Sequence, residues 1–174
     1  MPPMQRRQSV PATADVAAVI SPKFAVSIPY YAPAAALPAA LPTTAEIKRS
    51  VEVLSQRSTA KVVTVGSHFV AKYGRLNLEE GRMMIFVQQH SQVPVLRVFA
   101  LYRDDEEETS YIVMERIHGQ TLKVIWDTLD DQQNIVITTQ LREYIGQLRR
   151  IESPCGYCGL DKTPLPTYIL WTPI

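Results

Sequence analysis

The spacing of apolar positions changes along the chain, and each change marks an element. Over 43–54, Ile47, Val51 and Leu54 recur at i, i+4 and i+7. Thr43 and Glu46 precede them at the spacing of a capping box, so a short amphipathic helix is predicted there. From Lys61 the pattern turns to β-branched and aromatic residues over 61–65 and 68–73, separated by Gly66-Ser67. Glycine followed by serine suits a type II′ turn, whose first position needs a positive φ, so the pair reads as a β-hairpin. On its second strand Phe69, Ala71 and Tyr73 share one face. His68, Val70 and Lys72 share the other, which sets Lys72 in phase with an apolar valine.

Helical composition returns over 78–89, with Asn77 positioned to cap and Glu80 at the N3 position. Glu80, Met83, Met84 and Val87 fall at i, i+3, i+4 and i+7, which puts a carboxylate inside an apolar stripe where it needs a partner. A strand opened by Pro94 is predicted over 93–102, and another over 111–114. The acidic run 104–108 between them reads most simply as a solvated hairpin turn, a site for a basic partner being the other reading. Leu122, Ile125 and Trp126 suggest a short helix, and Ile137, Leu141, Tyr144, Ile145 and Leu148 a long one.

Both ends lack a period. Eight of the thirteen prolines fall within the first 42 residues, where Asp15 is the only acid and glycine is absent, so 1–42 is expected to be an extended, disordered arm. Arg6 and Arg7 with few acids also fit a targeting peptide, although this density of proline breaks the amphipathic helix such peptides use. Residues 152–174 read as a connector.

Composition narrows the function classes. A net charge of +1 gives no basic excess for a nucleic-acid or membrane-surface partner. Pro33 and Pro38 interrupt the longest apolar stretch well short of a membrane span. Two cysteines, Cys155 and Cys158, are too few for a secreted disulfide framework, and a cytoplasmic setting follows as the default. Their spacing suits a redox pair or half a zinc site, but no second ligand pair accompanies them.

The expected fold class is α+β: an antiparallel sheet with one helix inserted after the third strand, the order of a protein-kinase-like N-lobe. In that setting a lysine on the strand before the helix and a glutamate on the helix form a known device. An ammonium held by a carboxylate can grip the α and β phosphates of ATP. Lys72 and Glu80 meet that description; an edge-strand lysine pointing to water and a glutamate capping its own helix would be the plain alternative.

From Leu41 onward the chain resembles the aminoglycoside phosphotransferase-like family, its fungal members above all. The stretches that carry the likeness are 41–47, 62–74, 80–87, 93–95 and 111–122, continuing through Ser153-Pro154 to Ile169-Leu170-Trp171. The resemblance implies an N-lobe over 43–118, the first C-lobe helices over 119–151 and a truncated connector beyond. It makes Lys72 the phosphate-binding lysine and Glu80 its orienting partner. The Glu115 carbonyl and Ile117 amide become the adenine-binding hinge, and Ser58 and Thr59 part of a loop over the phosphates that lacks a glycine-rich sequence. ATP and Mg²⁺ are the implied cofactors, and a small-molecule hydroxyl the implied acceptor. The family's His-Gly-Asp loop and later metal-binding Asp have no counterpart: His118-Gly119-Gln120 lacks the carboxylate, and Asp161 stands outside any such motif. The expectation is an ATP-binding portion inactive on its own. A non-catalytic binding or scaffold module, with the 137–148 stripe facing a partner, is the alternative.

Overall fold

A computed structural model describes residues 26–151. The expected α+β class is observed: six antiparallel strands form one sheet, accompanied by several helices. In chain order the elements are β1 (Tyr30–Tyr31), α1 (Thr44–Arg49), β2 (Val53–Gln56), β3 (Ala60–Val65), β4 (Phe69–Gly74), α2 (Glu79–His90), β5 (Val98–Asp104), β6 (Thr109–Glu115), α3 (Leu122–Ile125) and α4 (Asp131–Arg150). Short 3₁₀ turns lie at Ala34–Ala36 and Trp126–Thr128. The sheet order is β1-β5-β6-β4-β3-β2, so β6 and β4, distant in sequence, meet at the centre.

The alternation along β4 sorts the core into two layers. Phe69 and Ala71 pack with Val63, Phe99, Tyr111 and Val113 on one face, where Ile47 of α1 is fully buried. Val70 packs with Leu101, Ile112, Met114 and Ile85 of α2 on the other. With both faces covered, the central strands read as nearly continuous apolar runs. Cross-strand tyrosines tie four strands together: Tyr73 stacks on Tyr111 (5.8 Å between centroids), Tyr111 on Tyr102 (4.8 Å) and Tyr102 on Tyr31 (6.1 Å).

Several expectations are corrected. Residues 26–42 are not a free arm: Tyr30 and Tyr31 pair with Leu101 and Ala100, and the Ala32 amide donates to the Phe99 carbonyl at 2.8 Å. The remainder of the expected arm, 1–25, and the connector at 152–174 with Cys155 and Cys158 lie outside the described residues. The predicted capping box at Thr43 and Glu46 is present, but the helix it starts ends at Arg49. The Ser50 hydroxyl donates to the Thr64 carbonyl at 2.5 Å and draws the chain toward the sheet, leaving Val51 and Leu54 exposed rather than on a helical stripe.

The β3–β4 connection has three residues instead of two, because Val65 pairs with Phe69; Gly66 does adopt a positive φ, +62°. The strand predicted over 93–102 begins only at Val98. A register shift between Val98 and Ala100 then turns Phe99 and Ala100 toward the same layer, which plain alternation forbids. The acidic run is the exposed β5–β6 turn, and it is also held: Lys48 pairs with Glu107, and Arg75 lies 3.8 Å from Glu108.

α2 buries a different face from the one predicted. Leu78, Gly81, Ile85 and Phe86 point inward, whereas Glu80 and Met83 are exposed. Gly81 faces β5 closely: a Cβ there would run into the Leu101 side chain, which would have to shift for the helix to stay in place. Asn77 caps from one position earlier, its side-chain oxygen accepting from the Glu79 amide at 2.9 Å. α3 forms as expected. α4 opens with a capping box between Asp130 and Gln133 and buries none of its residues, so its apolar stripe is uncovered among the described residues. No helix among them is long and apolar enough to cross a membrane.

Candidate functional site

β4 and α2 bring Lys72 and Glu80 together. Lys72 lies mid-strand, between Val62 of β3 and Ile112 of β6 in register, so its stem runs over apolar surface before the ammonium emerges. Its Nζ donates to Glu80 Oε2. The Lys72 side chain keeps 24% of its exposure and Glu80 keeps 51%, so the pair sits at a rim rather than in the core. The alternative of a lysine pointing freely to water is therefore not what the geometry shows.

The rim belongs to a cleft of about 750 Å³, within the range of small-molecule sites. Its apolar wall includes Val62, Met84, Leu96 and Met114. Its polar side carries three cations, Lys72, Arg57 and Arg75, and two carboxylates, Glu79 and Glu80. Both carboxylates are already engaged, since Arg82 bonds Glu79 at 2.5 Å and Lys72 bonds Glu80. Among the described residues no group of three or more His, Cys, Asp or Glu is arranged to hold a metal ion.

The β2–β3 turn overhangs this space. Thr59 lines the cleft, and its carbonyl accepts from the Arg75 amide at 2.9 Å. Gly74, at φ +135°, makes that approach possible, because a Cβ would collide with the same carbonyl oxygen. Ser58, adjacent in the turn, is exposed.

Glu115 and Ile117 are not brought into the cleft; Met114, one residue before Glu115, is the last of β6 to line it. The Glu115 amide donates to the Arg97 carbonyl at 2.8 Å, and its side chain borders a separate cavity of about 300 Å³ with Arg97, His68 and His118. Ile117 is 64% exposed. Between them Arg116 fastens the strand end: its guanidinium bonds Glu52 at 3.1 and 3.3 Å and the Gly66 carbonyl at 2.9 Å. His118 Nε2 donates to the Ser67 carbonyl at 3.0 Å, which gives the His-Gly-Gln stretch a local structural use.

Sequence reasoning missed Arg57 and Arg75 as cleft residues. The signal available was weak: each adjoins the end of a predicted or actual strand, and only the packing of the turn on Gly74 reveals that both face the same space. No known family model matches this chain, and no curated protein matches it either.

Proposed function

We propose that the described residues form the nucleotide-binding lobe of a kinase-like enzyme related to the aminoglycoside phosphotransferases, whose acceptor would be the hydroxyl of a small molecule. One observation carries the reading: the Lys72 ammonium, bonded to Glu80, lines a cleft together with the apolar Val62, Met84, Leu96 and Met114 and two further cations, Arg57 and Arg75. The order of three strands, a helix and two strands within β2 to β6 supports it, since that is the order of a kinase N-lobe. Only two cysteines in the whole chain agree with a cytoplasmic setting for such an enzyme.

The chemistry needed from these residues is positioning and charge neutralisation. Glu80 holds the lysine in one geometry, so less side-chain freedom is lost when Lys72 meets a phosphate. Val62 and Met114 offer apolar surface for a base. The nucleotide's magnesium would neutralise phosphate charge; Glu79 and Glu80, both held by cations, are not assigned to it.

Calorimetric titration of the chain with ATP tests the reading. Weak binding is expected, reduced roughly tenfold by Lys72→Ala, about 1.4 kcal/mol, and reduced in the same direction by Glu80→Gln. An unchanged affinity in Lys72→Ala, or no binding of ATP by the parent chain, would overturn it.

A further inference from the structure

Arg57 and Arg75 stand where a glycine-rich loop would cover phosphates, and their geometry suggests how this cleft manages without one. The Arg57 amide donates to the Ala60 carbonyl at 2.8 Å and closes the β2–β3 turn. The Arg75 amide donates to Thr59 in the same turn, directly after the Gly74 contact. Arg57 in the β2–β3 turn and Arg75 just past the end of β4 are thereby tied together by backbone, and both line the cleft that holds Lys72.

Their guanidinium groups are at most loosely engaged. Arg57 makes no ion pair among the described residues. Among the described residues Arg75 pairs with Glu108, at 3.8 Å, with both side chains well exposed. The two carboxylates of the cleft are paired with other cations, Glu80 with Lys72 and Glu79 with Arg82, rather than with Arg57 or Arg75. Guanidinium presents a planar fork of N–H donors that matches phosphate oxygens two at a time, whereas an ammonium acts as a point charge.

Building on the nucleotide reading, we infer that Arg57 and Arg75 grip the terminal phosphates of a nucleoside di- or triphosphate, replacing the backbone amides of a glycine-rich loop, while Lys72 takes the inner ones. Discrimination between triphosphate and monophosphate then rests on the arginines.

The test compares ATP, ADP, AMP, adenosine and inorganic tripolyphosphate by calorimetry on the full chain, on Arg57→Gln and Arg75→Gln, and on the double variant. Each arginine is on the surface, and retained circular dichroism and melting temperature will establish that the variants fold. The parent chain should bind ATP more tightly than AMP. Each single variant should weaken ATP and tripolyphosphate several-fold without altering AMP, and the double variant should make ATP and AMP nearly equal. Unchanged ATP affinity in the double variant overturns this inference and leaves the nucleotide reading standing. Arginine-dependent binding of tripolyphosphate with no contribution from adenosine does the opposite, supporting a polyphosphate grip and overturning the nucleotide. No binding of either ligand by the parent chain overturns both.

Discussion

Tyr102 and Tyr111 lie face to face on adjacent strands, 4.8 Å between ring centroids and 11° from parallel. Burial pushes the Tyr102 phenol up to about 12, with Tyr111, Tyr31 and Asp104 adding to the cost of a phenolate. Tyr111 is also raised by burial, against the pull of the Lys48 ammonium. Because the folded Tyr102 value exceeds the ordinary 10.0, the neutral phenol favours the fold. That contribution is complete below pH 10.0 and is lost as the pH climbs to about 12. Phenolate absorbance should therefore rise in two stages, the later one coinciding with alkaline unfolding, and Tyr102→Phe should move that unfolding to higher pH. A single stage near 10.0 with the fold intact would contradict the buried stack.

Gly81 and Leu101 make the contact that orients α2. Gly81→Ala is expected to destabilise by about 1–3 kcal/mol through overpacking. Adding Leu101→Ala to it should lose less than the sum of the two single changes, because the second opens the space the first overfills. Additive losses in denaturant titration would remove Gly81 from this role.

The Lys72–Glu80 pair is expected to matter more for ligand than for stability. A double-mutant cycle should return a coupling below about 1 kcal/mol, as for other partly exposed ion pairs. A coupling several times larger would mean that the pair is buried in solution.

α4 provides a contrast with α2. Leu141→Gln or Ile145→Gln should shift stability by no more than about 0.5 kcal/mol, because neither residue is buried. Ile85→Ala should cost about 2–5 kcal/mol, because Ile85 is enclosed between α2 and the sheet. Comparable losses at both places would show that the α4 stripe is covered in the folded chain.

What could be read from residues in line was local. Thr43 and Glu46 satisfy each other's backbone groups within one turn, the positive φ at Gly66 belongs to a single residue, and the alternation from Phe69 to Tyr73 follows from the pleat of one strand. Such features need only neighbours a few positions away. The Lys72 and Glu80 contact was also within reach, since eight residues and two known periodicities separate them.

Long-range packing decided the rest. Which face α2 buries depends on where Leu101 lies beneath Gly81, and period alone cannot choose between stripes one residue apart. Tyr30–Tyr31 becomes a strand because the edge of β5 offers unpaired backbone groups, not because two tyrosines among prolines spell one. Arg57 and Arg75 share a cleft only because Gly74 lets a turn fold onto the strand beside it. Spacing along a chain encodes contacts within an element, whereas contacts between elements depend on shapes that form only when distant segments meet.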